Sequence, residues 1–269
     1  MPSPPQVETF TPAAKATPAE STDELAGRQG RTYGKYYAVA AGISFVGYVL
    51  TFAIRAATRV WFEQPHLVHG CFGLVWGVIL LHQIVTGATR GVHRRLSHRM
   101  FGTYVAPFVF AGLMLTGVTV VCLGLTGAGD YYGGHADAHD AVQAYILLHM
   151  AAFDSLAFTL AYVAAKRKDF QAHKEMIGFV VMSFGDAGLY RVIVIALHVI
   201  APCGHATISK NKKVVAHVLN RVLLLAVVVP ALAKYRRFTR LNIAMLAFFA
   251  LAEVPVLARV EGNFCAPDQ

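Results

Sequence analysis

The stretch FGTYVAPFVFAGLMLTGVTVVCLG, residues 101–124, decides the class of protein because it contains no charged side chain. About 20 apolar residues in a row are enough for a helix to cross the hydrocarbon core of a bilayer. The whole chain has the same character, since 56% of its 269 residues are hydrophobic and only 14% are charged. Soluble domains carry about 25% charged residues. The sequence therefore predicts an all-α integral membrane protein and argues against a disordered chain or an ordinary soluble enzyme.

Apolar runs of similar length follow one another along the chain. They lie at residues 36–54, 67–87, 101–124, 142–165, 176–200, 214–233 and 241–258. We expect a polytopic helix bundle of about seven spans within residues 35–262, with a histidine-bearing core formed by spans two to five. Residues 1–34 are rich in Pro, Ser, Thr, Ala, Glu and Gly and are predicted to form a flexible polar tail, and residues 263–269 a short C-terminal tail.

The basic residues predict how the bundle is oriented. The net charge is +9, and Lys and Arg lie in short segments between the apolar runs, which is typical of membrane topology rather than of nucleic-acid binding. We call side A the surface that holds the N-terminal flank and the segments after spans two, four and six, and side B the opposite surface. Most basic residues lie on side A, which places the N-terminus on the cytoplasmic or equivalent side and the C-terminus opposite.

All 4 cysteines fall near side B. If that side is oxidising, Cys203 and Cys265 could form a disulfide, although the sequence leaves the pairing open. Cys71 and Cys122 lie within spans and are expected to pack as small apolar residues.

Four of the 12 histidines form a pattern. His69 and His149 lie near side B in spans two and four, and His98 and His173 lie near side A at the starts of spans three and five. Each of the last two ends a basic segment and is followed by a basic residue and, further on, a glycine. The pattern predicts two facing histidine pairs, one near each surface. Two neutral imidazoles on opposite faces of the ring are what a b-type haem requires.

This order of histidines resembles the ascorbate-linked cytochromes of the b-561 type. The resemblance covers spans two to five and implies that His69 and His149 ligate one haem b, and His98 and His173 another. It implies transmembrane electron transfer through one or two haems. The spacings differ from that family, with 29 residues from His69 to His98 and 24 from His149 to His173. They place His98 and His173 at helix ends, which favours the side B pair as the haem site.

Residues 66–195 also resemble the uncharacterised membrane-protein family labelled domain of unknown function 2306. The matching positions are His69, Gly70, Gln83, Arg90, His98, Arg99, Gly102, Tyr104, His173, Met176 and Arg191. This resemblance implies a histidine-bearing bundle of several spans. It implies no particular activity, because none is assigned to the family.

Arg191 and Arg221 are predicted to lie inside the membrane at similar depths below side B. Charge in the hydrocarbon is costly, so both need anions, for which Asp186, Glu253 or haem propionates are candidates. Both are therefore candidate cofactor-binding residues, with a purely structural ion pair as the alternative.

Two further features leave alternatives open. Glycines recur in spans two and five, where they could let helices approach closely or make room for a flat ring. They are Gly70, Gly73, Gly77, Gly178, Gly185 and Gly188. The segment after span three carries His135, Asp137, His139 and Asp140, which could bind a divalent ion or present an electron acceptor, although a turn and a helix cap are favoured.

Three functions follow from these patterns. The first is an electron carrier of the cytochrome b type, whose basic side A could attract an anionic small-molecule reductant such as ascorbate. The second is a non-catalytic accessory or structural subunit of a larger membrane complex, with the histidines as polar contacts. The third is a transporter that uses Arg191, Arg221 and Asp186 at its binding site.

Overall fold

The computed structural model describes the backbone of residues 22–57, 64–88, 91–125, 138–200, 210–234, 238–252 and 254. The described part is 96% helical and contains no strand, which confirms the all-α prediction. Its helices are α1 (Thr22–Ala57), α2 (Gln64–Ala88), α3 (Val92–Met100), α4 (Ala106–Leu125), α5 (Ala138–Lys166), α6 (Phe170–Ile200), α7 (Lys210–Lys234) and α8 (Arg240–Leu251). A π-helical segment, Phe101–Val105, joins α3 to α4 without a break.

Five helices in the described part are long and apolar enough to cross a membrane. Their candidate spans are Gly34–Ile54, Pro65–Ala88, Val92–Leu123, Ala144–Lys166 and Phe170–Leu197. These match predicted spans one to five. The outer surface of the bundle is apolar, with Phe108 76% and Leu115 71% exposed, as lipid contact requires.

The two remaining predicted spans correspond to α7 and α8. Their apolar stretches, Val215–Pro230 and Arg240–Leu251, are shorter than the other five. Crossing the membrane at these two helices therefore stays a prediction, and the end of predicted span seven lies outside the described residues.

The first helix begins at Thr22, within the stretch 1–34 that was expected to be a tail. The structure thus describes a helical backbone over residues 22–34 of the predicted tail. Hydropathy detects only the apolar part of a helix, whereas outside the membrane a polar helix can continue. Residues 1–21 and the predicted tail 263–269 lie outside the described part.

Five helices form a ring of neighbours in which α1 contacts α2, α2 contacts α4, α4 contacts α5, α5 contacts α6 and α6 returns to α1. Helix α7 packs against α6 and α1, and α8 packs against α5. The contact between α1 and α6 is the most extensive in the described part. The core therefore contains α1 in addition to the four helices predicted from spans two to five.

Small residues explain why α1 and α6 come so close. A Cβ placed on Gly188 would lie 2.6 Å from the Cα of Ser44, and one on Gly47 would meet the carbonyl of Gly188. In lipid, helices associate through close packing rather than through the hydrophobic effect, so such contacts contribute directly to stability. In α2, Gly73 and Gly77 instead receive aromatic rings from neighbouring helices. At these positions the glycines serve helix packing.

Candidate functional site

The histidine pair near side A is brought together by the fold. His98 lies in the last turn of α3 and His173 in the first turn of α6. Their ring centroids are 6.4 Å apart and the ring planes are nearly perpendicular, at 82°. The π-helical segment begins three residues after His98, and such segments recur at functional sites.

Backbone carbonyls fix the orientation of both imidazoles. The Nδ1 atom of His98 lies 3.1 Å from the carbonyl oxygen of Gln83, and that of His173 lies 2.9 Å from the carbonyl oxygen of Ala161. A carbonyl only accepts hydrogen bonds, so the neutral rings carry their proton on Nδ1 and their lone pair on Nε2. Metal-ligating histidines are typically held in this way, by a hydrogen bond from the other ring nitrogen.

The separation of the two rings suits a pair of imidazoles that share one metal atom. An imidazole nitrogen binds a transition metal at about 2 Å and lies about 1 Å from its ring centre, so two opposed ligands have centres about 6 Å apart. The distance of 6.4 Å between the two ring centroids is close to that value. His98 and His173 therefore provide two imidazole donors at the ring separation that a shared metal atom requires.

The surroundings of the pair are aromatic, polar and basic. The ring of His82 packs 4.6 Å from that of Phe101, and its Nε2 lies 3.1 Å from Ser97 Oγ. Arg94 and Arg95 lie exposed on α3. No three His, Cys, Asp or Glu side chains within the described residues are grouped to hold a metal ion, so the donor set here is limited to the two imidazoles.

The histidine pair predicted near side B is not brought together. His69 faces α4, where its Nδ1 lies 3.3 Å from Thr116 Oγ1. His149 turns toward α8, where its Nε2 lies 2.6 Å from the carbonyl oxygen of Phe248 and its ring packs on that residue. Its Nε2 therefore carries the hydrogen and has no lone pair to offer. The pair favoured by sequence spacing has the less suitable geometry.

The two intramembrane arginines differ in their partners. Arg221 forms a buried ion pair with Asp186, with nitrogen–oxygen distances of 3.1 and 3.2 Å, and Asn220 donates to the same carboxylate at 2.6 Å. Arg191 donates to the carbonyl oxygen of Ala187 at 2.5 Å and lies over the ring of Tyr48. The structural ion pair considered as an alternative is thus present for Arg221, whereas Glu253 lies outside the described residues.

A cavity of about 120 Å³ opens between the helices in the half of the bundle toward side B. Its lining includes Tyr48, His69, Trp76, Asp154, Ser183 and Asp186. Asp154, a buried carboxyl group in the middle of α5, was not predicted from the sequence. Arg191 and Arg221 were singled out because charge inside a membrane span is costly. The same argument applies to an acidic residue within a span.

Two of the cysteines lie in the described part of the chain, on the surface of the bundle. Cys71 and Cys122 lie exposed on the outside of the bundle rather than packed inside, where lipid accommodates an apolar thiol. Cys203, Cys265 and the side chains of the segment from His135 to Asp140 lie outside the described part.

Comparisons of the chain with protein-family models, with curated proteins and with solved structures find no match.

Proposed function

We propose that this protein is a membrane electron carrier that holds one b-type haem between His98 and His173 near side A. A single observation supports the proposal most strongly: the two imidazoles lie 6.4 Å apart, and each Nδ1 contacts a backbone carbonyl.

The residues of the chain have distinct parts in this proposal. When bound, haem supplies one-electron redox chemistry. The carbonyls of Gln83 and Ala161 orient the two imidazoles and make them more basic as ligands. The exposed guanidinium groups of Arg94, Arg95 and Arg99 supply positive charge for haem propionates or for an anionic reductant.

The geometry favours one haem over two. A second haem at His69 and His149 would require His149 to give up its hydrogen bond to Phe248 and to turn away from α8. The proposal therefore assigns ligation to the side A pair alone, and places electron exchange near the basic surface.

Absorbance spectroscopy tests this assignment on the full-length purified protein. The reduced-minus-oxidised spectrum is expected to show b-type haem bands that disappear in His98→Ala and in His173→Ala. His149→Ala is the matched control and is expected to keep the bands, because its ring points to α8. A colourless wild-type protein, or bands that depend on His149 rather than on His98, would contradict the proposal. Colourless protein that co-purifies with a complex would instead favour the accessory-subunit function.

A further inference from the structure

Asp154 is a carboxyl group in the interior of the bundle that has no cationic partner among the described residues. It lies near the middle of α5, its relative exposure is 5%, and it shares a hydrogen bond with Ser183 on α6. Its second oxygen, Oδ1, has no hydrogen-bond partner in the part of the chain that the structure describes. This side chain has no part in the proposed haem site.

The charged and titratable groups around Asp154 are already engaged. On α6, Asp186 is paired with Arg221 of α7, and Arg191 covers the ring of Tyr48 from α1. From α2 comes His69, which contacts Thr116 of α4. Within the described residues Asp154 forms no ion pair. An ionised, unpaired carboxylate inside a membrane is costly, so such a group takes up a proton or binds a cation from outside the chain.

The cavity beside Asp154 distinguishes between these two outcomes. Trp76 lines the same cavity and is 2% exposed. Its Nε1–H is a donor that finds no partner within the described ranges. A hard metal cation needs several oxygen ligands, and it would leave this donor unsatisfied. Water satisfies donors and acceptors alike, and about 120 Å³ holds roughly four molecules at their volume in the liquid.

The cavity lies on the side B side of Asp154. Its lining residues on α4 and α5 include Gly117, Val121, Leu147 and Ala151, which all lie between the level of Asp154 and the side B ends of those helices. His69 lines it near the side B end of α2. The cavity therefore extends from the carboxyl group toward side B.

We propose that Asp154 is an intramembrane proton-binding site that exchanges protons with side B through water in this cavity. The site is independent of the haem proposal, because none of the groups that form it ligates the iron. Asp154 holds the proton, Ser183 orients the carboxyl group, and Trp76 and His69 hydrogen-bond to the water.

Infrared spectroscopy of the full-length protein in lipid, at neutral pH, tests the proposal. A carbonyl band of a protonated carboxyl group is expected to disappear in Asp154→Asn and to shift in Asp154→Glu. Asp169→Asn, a change at an exposed acid in the turn before α6, is the matched control and should leave the band unchanged.

Exchange into heavy water tests access through the cavity. The band of the wild-type protein is expected to shift promptly, and Ala151→Leu, which fills the cavity, is expected to slow that shift without removing the band. The proposal is overturned if no band depends on Asp154, if sodium ions remove the band at constant pH, or if Ala151→Leu exchanges as fast as wild type. Because each readout is independent of haem, failure here leaves the haem proposal standing, and the reverse also holds.

Discussion

Asp186→Ala is expected to lower the free energy of unfolding by about 3–5 kcal/mol, because it leaves the guanidinium group of Arg221 buried without its anion. Arg221 is 3% exposed, and both oxygens of Asp186 contact its nitrogens. The variant also removes the side-chain acceptor of the Asn220 amide, which keeps its second hydrogen bond, to the backbone carbonyl of Asp186. An unfolding titration in mixed micelles measures the change.

A double variant distinguishes the free-energy cost of losing the ion pair from the cost of leaving one charge buried and unpaired. Replacing both partners, as Asp186→Leu with Arg221→Met, is expected to cost less than Asp186→Ala alone, because no buried charge then remains. If the double variant is no more stable than the single one, an unpaired charge on Arg221 does not destabilise the protein. The ion pair would then not be what keeps this buried arginine stable.

Gly188→Ala is expected to destabilise the bundle by about 3 kcal/mol, at the upper end of the usual cost of overpacking. The added Cβ would lie 2.6 Å from both the Cα and the carbonyl carbon of Ser44. These are backbone atoms, which cannot turn aside as a flexible side chain can. Helices α1 and α6 would have to separate along their whole contact, and the same unfolding titration would report the loss.

Gly42 provides the matched control within α1. Nothing lies within 4 Å of a Cβ built at this position. Gly42→Ala is therefore expected to stabilise the helix by up to about 1 kcal/mol, since alanine has the higher helix propensity. Equal effects of Gly188→Ala and Gly42→Ala would show that the close approach of α1 and α6 is not a source of stability.

Much of the fold could be predicted from the sequence because hydropathy acts locally. Five candidate spans match predicted runs, since a lipid-facing helix needs an apolar surface along most of its length. The pairing of His98 with His173 was also predicted, from their positions at the side A ends of spans three and five. Local spacing is sufficient there, because each histidine is fixed by a carbonyl of the neighbouring helix.

The direction of His149 could not be predicted in this way. Its partner, the carbonyl of Phe248, lies 99 residues further along the chain, on α8. Backbone carbonyls carry no sequence signature, so the composition of α5 gives no sign of the contact. The importance of α1 was missed for a related reason, since its contact with α6 depends on where Gly47 and Gly188 face after packing.

The electron paramagnetic resonance spectrum of the oxidised protein tests the central claim most directly, because a low-spin ferric haem reports the relative orientation of its two axial imidazole planes. The ring planes of His98 and His173 are inclined to each other by 82°. We therefore expect a low-spin signal of the strongly anisotropic form that nearly perpendicular ligand planes produce, with a single haem per chain. A high-spin signal, a rhombic signal typical of parallel planes, or a protein that takes up no haem would contradict the account.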